Sequence, residues 1–262
     1  MTVFRRRLDT ELVRRGLVSS RARATEVITE GRVLVAGGPA DSPARQVSPA
    51  ESISIDGPKP RFVSRGGDKL ACALDAFAVD VHDLRCLDAG ASTGGFTDCL
   101  LQAGAQTVYA VDVGRGQLAW PLREDPRVRV LERTNVRKLQ PDDIGGPVPI
   151  AVADLSFISL LTAAPALVRC TTAEASLVLL LKPQFEAGRG KVGRRGVITD
   201  AGVHIEVLVD VTAGLAEHGI IAVDVVESPL HGADGNREFL IHGRREGTVV
   251  PTDRLRALVS AP

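Results

Sequence analysis

Cysteine is sparse in this 262-residue chain: four residues, at 72, 86, 99 and 170, with no two in a C-x-x-C pair. Zinc and redox motifs need such pairs, and secreted disulfide scaffolds need them densely spaced. These four therefore read as buried thiols of a reducing compartment. The five histidines, at 82, 204, 218, 231 and 242, have no ligand spacing, which argues against a metal partner. Aromatic residues make up only 3% of the chain, too few to populate a membrane interface. Long apolar runs are missing too. The longest uncharged stretch, residues 155–168, is shorter than a bilayer span and carries Ser156, Ser159, Thr162 and Pro165. Arg5-Arg6-Arg7 is followed by no apolar region, so it does not read as a secretory signal. The expectation is a cytoplasmic protein with neither membrane nor metal among its partners.

What is present is 44% hydrophobic residues, enough for a sizeable core, and a net charge of zero that hides an asymmetry. Residues 1–69 hold 13 Lys/Arg against 8 Asp/Glu, and the rest of the chain reverses the balance. Such an excess fits a polyanion partner, but it also fits a solvated helical face, and charge alone does not decide. Leu8, Leu12 and Val13 give a helical stripe stopped by Gly16. A second helix, capped by Ser19 or Ser20, places Ala22, Ala24, Val27 and Ile28 inside and ends at Gly31. Short strands follow at residues 32–35 and around Ile53 and Ile55. The order R-L-D-x-x-L, S-R-x-x-A, G-x-V-x-V-x-G over residues 5–57 resembles the RNA-binding fold named after ribosomal protein S4. That resemblance implies that Arg5, Arg6, Arg7, Arg21, Arg23 and Arg32 lie near one face and meet phosphates. Ala36 departs from the pattern, which often has Asn or Asp before Gly37. The Asp56-Gly57-Pro58-Lys59-Pro60 stretch punctuates the chain as linkers do, giving domains 1–59 and 60–262 with residues 60–65 as interdomain linker.

Residues 86–96, CLDAGASTGGF, read as the end of a buried strand, a glycine-rich turn and the start of a helix. The spacing G-x-x-x-G-G is not that of dinucleotide enzymes. A second β-rich run, residues 107–111, ends at Asp112, 24 residues after Asp88 and placed to accept hydrogen bonds from two ribose hydroxyls. A third, residues 129–135, ends at Asn135, whose amide suits an adenine edge. Two further strands end in Asp154 and in Lys182-Pro183, on the ligand edge of a doubly wound α/β fold. Either polar end is also what any strand needs. Methyl transfer to a ribose hydroxyl wants a base of near-neutral pKa, and a lysine serves only if desolvated or crowded by another cation.

Asp88-x-Gly-x-x-x-Gly-Gly with Asp112 looks like the S-adenosylmethionine half of a methyltransferase. Four further motifs, residues 64–70 (SRGGDKL), 154–157 (DLSF), 182–185 (KPQF) and 236–239 (NREF), together with G-x-G-Q-L-A-W at 114–120, resemble the TlyA family, which belongs with the FtsJ-like 2′-O-methyltransferases. The resemblance covers nearly the whole chain. It implies a seven-stranded, mainly parallel Rossmann-like sheet behind a small N-terminal α+β RNA-binding domain. It implies a catalytic tetrad of Lys69, Asp154, Lys182 as base and Glu238. It implies S-adenosylmethionine held by Asp88, Gly90, Ala91, Ser92, Gly94, Gly95, Phe96, Asp112, Val113, Asn135 and Asp154. The implied substrate is the cytidine 2′-hydroxyl of 16S and 23S rRNA in ribosomal subunits, a modification linked to capreomycin and viomycin susceptibility, with the chain acting as a monomer. In the family's linker a Trp precedes the Val; here Phe62 precedes Val63.

Three other readings compete. A methylase of exocyclic amines wants an Asn/Asp-Pro-Pro-aromatic loop where this chain has DLSF. An RNA-binding protein without methyl transfer would keep the fold and lose the chemistry. A membrane-active haemolysin, a label borne by relatives of the family, finds no spanning segment in the sequence. Arg65 and the stretch Gly188–Gly196, with Arg189, Lys191, Arg194 and Arg195, complete the expected RNA-binding set. Neutralising Arg194 and Arg195 together should weaken RNA binding and flatten the slope of log affinity against log salt by up to about 2, with cofactor affinity unchanged. Filter binding across a salt series measures this.

Overall fold

The computed structural model describes residues 5–18, 21–57, 60–188, 190–193, 196–232 and 234–260. The chain divides into two compact units, Met1–Arg61 and Phe62–Pro262. Pro58 and Lys59, inside the expected boundary, fall outside the described residues.

The first unit runs β1 (Arg6–Arg7), α1 (Leu8–Arg14), α2 (Arg21–Thr29), β2 (Val33–Val35), β3 (Gly38–Pro39), β4 (Gln46–Val47) and β5 (Ile53–Ile55). β2 is the centre of a three-stranded antiparallel sheet between β3 and β5, and β1 pairs with β4. Leu8, Leu12, Ala24, Val27, Ile28, Val33 and Val35 form its core. Ala22, expected inside, is exposed, because the buried stripe of α2 begins at Ala24. The proposed caps Ser19 and Ser20 lie outside the described residues. Gly31, at φ +70°, ends α2 as expected: its N–H reaches Ile28 O and that of Arg32 reaches Val27 O, the paired bonds of a Schellman motif.

The second unit contributes α3 (Gly66–Ala76), β6 (Arg85–Ala89), α4 (Gly95–Gln102), β7 (Thr107–Val111), α5 (Trp120–Glu124), β8 (Val128–Leu131), β9 (Val148–Ala153), α6 (Leu160–Arg169), β10 (Thr171–Leu181), α7 (Pro183–Glu186), α8 (Ala201–Glu217), β11 (Ile221–Glu227), β12 (Phe239–Arg244) and α9 (Thr252–Ser260). Seven strands form one sheet in the order β11-β12-β10-β9-β6-β7-β8. β6 to β10 run parallel, and β12 is inserted antiparallel between β10 and β11. Strand residues alternate between two cores, as the pleat requires. Leu177, Leu179 and Leu181 face the core shared with α6, α8 and α9, whereas Val178 and Leu180 face that of α3, α4 and α5. The sheet is therefore covered on both faces, the doubly wound arrangement.

The strand placed over 129–135 stops at Leu131, where the chain leaves the ladder and Arg133 takes φ +53°. The last two strands of the sheet begin at Ile221 and Phe239, leaving Glu238 just outside it. Phe62, placed in a linker, is buried at 3% exposure, and its ring lies where a Cβ on Gly67 would be, 2.2 Å from Phe62 Cγ. Three cysteines are buried as expected, while Cys72 is half-buried.

The β2–β3 hairpin turns on Ala36 and Gly37, at φ +52° and +80°, a two-residue loop of the I′ type that favours Asn-Gly. Alanine in the left-handed region is strained by roughly 1–2 kcal/mol. Ala36→Asn should recover about 1 kcal/mol of that strain, seen as slower amide exchange across β2 in the full chain.

Candidate active site

The carboxyl edge of the parallel strands opens on a cavity of about 600 Å³, within the range of sites for drug-sized ligands. It is lined from the turn after β6 (Gly90, Ser92), the tip of β7 (Asp112, Val113), the segment after β8 (Thr134 to Arg137) and the segment after β9 (Asp154 to Ile158). Gly90 sits at φ +90°, and a Cβ there would meet Asp154 O at 2.3 Å. Only glycine lets the turn after β6 pass that close to the end of β9. Gly94 and Gly95 line no part of the cavity. Their missing Cβ atoms make room for Leu122 and Leu118 in one case and Ser64 and Gly67 in the other. Phe96 is buried in the core of α3 and α4. These three glycine-turn residues pack the loop against its neighbours. Ala91 lines a much smaller hollow beside the main cavity.

Asp88 also lies below the cavity wall, fully buried. Its Oδ2 accepts from Thr97 Oγ1 at 2.6 Å, and Oδ1 has no partner among the described residues. Burial, with the nearby charges of Asp154 and Asp112, pushes its pKa up to about 7 against the pull of the Thr97 hydrogen bond. Asp112 accepts from Ser92 N at 2.8 Å and Gly114 N at 2.6 Å, so each oxygen already pins a loop and has one lone pair left for a ligand. Asn135 lines the cavity but spends its Oδ1 capping the 3-10 turn at Val136–Lys138, which leaves its NH₂ as the donor end.

Two lysines stand at this same edge. Lys182, directly after β10, pairs with Asp154 Oδ1 at 2.5 Å, a contact of ion-pair distance without hydrogen-bond alignment, and its Nζ donates to Ser156 Oγ at 2.9 Å. Lys69, in the first turn of α3 and 8% exposed, donates to the buried Glu238. The topology explains the second pair. β12 is antiparallel, so its amino end lies at the carboxyl edge of its neighbours; Phe239 is in register with Leu181, which places Glu238 beside Lys182 in the ladder direction. The four residues of the expected tetrad come together as two Lys–carboxylate pairs.

Sequence reasoning missed Ser156, Phe157 and Gln117. Two of the six non-glycine residues at positive φ among those described, Ser92 at +48° and Phe157 at +64°, line the cavity. Left-handed backbone is rare for a bulky side chain and gathers at functional sites. The Phe157 ring is 91% exposed and tilts on Phe185, with centroids 5.2 Å apart. Its motif was legible; its strain and exposure were not.

In the first unit, the arginines converge on buried carboxylates. Arg7 and Arg21 share Asp9, and Arg6, Arg14 and Arg15 share Glu11. Arg23 and Arg32 both reach Glu30. Arg14 and Arg15 join a set the motif did not include. Arg5 is exposed. Arg65 belongs to the second unit, where its Nη2 donates to His231 O at 2.7 Å. Lys191 pairs with Glu206 in α8, whereas Arg189, Arg194 and Arg195 lie outside the described residues.

An FtsJ-like methyltransferase model matches residues 62–245, and an S4 domain model matches residues 6–53. The chain belongs to the TlyA family of FtsJ-like methyltransferases. It is 52% identical over 238 residues to the 16S/23S rRNA (cytidine-2′-O)-methyltransferase TlyA of Mycobacterium tuberculosis, covering 90% of this chain and 89% of that protein. Hemolysin A of Brachyspira hyodysenteriae is 38% identical, over 90% of this chain and 98% of its own length. A solved structure from Streptococcus thermophilus, also named a hemolysin, superposes with a TM-score of 0.80 at 38% identity, over 99% of this chain and 96% of that one. Among the described residues, no helix is long and apolar enough to cross a membrane, and no cluster of His, Cys, Asp and Glu could hold a metal.

Glu11 is fully buried, and the guanidiniums of Arg14 and Arg15 hold its carboxyl down at about 2 from an ordinary 4.5. A depressed carboxylate adds stability that is complete above its unfolded value and is lost as pH falls through its folded one. The α1 amides should therefore stay protected at pH 5 and lose protection between pH 4.5 and 2, with a shallower change in Glu11→Gln. NMR of the full chain across that range checks it.

Proposed function

We propose that this protein transfers a methyl group from S-adenosylmethionine to the ribose 2′-hydroxyl of cytidine in 16S and 23S rRNA. The observation that carries the reading is the pairing of Lys182 with Asp154, a residue of the cavity wall, and the arrival of Glu238, with its partner Lys69, one step beyond the Leu181–Phe239 register at the same sheet edge. The residues suit the cofactor: Asp112 keeps acceptor capacity for ribose hydroxyls, the Asn135 NH₂ is a donor, and the Gly90 turn leaves space against the Asp154 backbone. When bound, S-adenosylmethionine supplies an electrophilic methyl on a sulfonium.

In this scheme Lys182 acts as the neutral amine, left once its ammonium has given up a proton to solvent, and takes the proton of the 2′-hydroxyl. Asp154 and Ser156 fix its Nζ at the cavity wall, and the Lys69–Glu238 pair orients the ribose oxygen from the other side. A positioned base contributes about 100- to 10,000-fold. The exposed Phe157 ring offers a face on which an unstacked base can rest, as single-stranded RNA readers use aromatic rings. The arginines around Asp9 and Glu11 are held in fixed geometry by those carboxylates and present their remaining N–H groups to phosphate. The chain acts as a cytoplasmic monomer on ribosomal subunits, and Arg189, Lys191, Arg194 and Arg195 add phosphate contacts. The name hemolysin remains a property of the relatives that bear it.

Mass-spectrometric mapping of ribose methylation on both rRNAs tests the reading. Lys182→Ala should lower the transfer rate by about 100- to 10,000-fold while S-adenosylmethionine still binds. Equal methylation by the two proteins would remove Lys182 from the role of base.

A further inference from the structure

Asn236 is 1% exposed and uses both ends of its side-chain amide on one backbone segment. Its Oδ1 accepts from Ile198 N at 3.0 Å, and its Nδ2 donates to Gly196 O at 2.9 Å. Those groups flank Val197. A parallel strand bonds its neighbour in this way, donating to the carbonyl before a residue and accepting from the N–H after it. One side-chain amide thus stands in for a strand's peptide groups, and it recognises backbone and not side chains. Among residues of this size only an amide carries both the donor and the acceptor.

The same residue ends a turn that wraps Glu238. Asn236 O accepts from Gly232 N at 2.9 Å, and a Cβ on Gly232 would stand 2.6 Å from Glu238 Oε1. Ser228 N donates to Glu238 O at 2.8 Å, closing the base of the turn. On its other side, Arg65 at the start of α3 holds His231 O, and Lys69 within α3 holds Glu238. The Glu238 turn is therefore gripped between α3 and the segment 196–198. Gly196 also closes the cation-rich stretch, so the bridge sets where that stretch returns to the fold.

We propose that Asn236 is a positioning residue for methyl transfer: by bridging Gly196 and Ile198 it fixes the turn from which Glu238 meets Lys69. The inference rests on the ribose methylation reading above. Removing the amide leaves the buried Ile198 N–H and the part-buried Gly196 carbonyl without this partner and frees the turn to shift. A displacement of about 1 Å at a reacting group costs up to about a hundredfold in rate.

The test uses full-length Asn236→Ala and Asn236→Asp in single-turnover methylation of rRNA, with S-adenosylmethionine affinity from calorimetry and thermal unfolding measured alongside. Asn236→Ala should slow transfer by about ten- to a hundredfold at temperatures where it is folded. Its affinity for S-adenosylmethionine should stay within about twofold, because no described residue of 196–198 or 232–238 lines the cavity. In a Glu238→Ala background the same change should cost almost nothing more, since residues acting as one unit are not additive. Asn236→Asp should regain rate relative to the wild type as pH is lowered, because its protonated carboxyl recovers a donor toward Gly196 O. An undiminished rate for the folded Asn236→Ala protein, or its full loss repeated in the Glu238→Ala background, would overturn the inference. If Asn236→Ala does not fold, the Asp variant decides, and a pH-independent ratio overturns it. A wild-type protein that leaves rRNA ribose unmethylated would instead count against the underlying reading.

Discussion

The antiparallel placement of β12 is the constraint on which the site depends. A parallel strand delivers its polar end to the reactive edge only after the chain has crossed the sheet, which is how Asp112, Asp154 and Lys182 arrive. Glu238 arrives by the opposite route, at the start of a strand that runs back between β10 and β11. The reversal lets a carboxylate come to rest beside the lysine that ends β10, with Lys69 of α3 as its partner. The buried Lys69 and the half-buried Lys182 then each have a carboxylate, as charges drawn away from water require.

Glycines and carboxylates share the work of shaping the edge. Gly90 passes the backbone of Asp154 at a distance no other residue allows, and Gly94 and Gly95 let α4 close on α5 and α3. Asp112 ties the turn after β6 to the one after β7 through two backbone N–H groups. Asp88 stands beneath them with one oxygen unpartnered among the described residues and its charge disfavoured by burial. Left-handed backbone at two non-glycine residues, Ser92 and Phe157, also shapes the cavity wall.

Much of this was legible in the sequence. Strand ends could be read because apolar runs stop at Asp112, Asp154 and Lys182, and helix ends because Gly31 supplies the left-handed residue that terminates α2. The tetrad came from family resemblance, because no periodicity links Lys69 to Glu238 across 169 residues; only sheet order does. In the glycine turn, close approach to protein and close approach to ligand demand the same residue, so the sequence does not separate the two. The Asn135 strand misled because β propensity carries no sign of where pairing stops. Nor does sequence reveal that arginines such as Arg14 and Arg15 would close on a buried Glu11.

The central claim is that the methyl group goes to a sugar oxygen, beside two paired lysines, and not to a base. Alkaline digestion of rRNA labelled with tritiated methyl groups by the wild-type protein tests it most directly, because cleavage of each phosphodiester needs a free 2′-hydroxyl. The account predicts that the label survives in alkali-stable dinucleotides. Label released in mononucleotides would place the methyl on a base and contradict it.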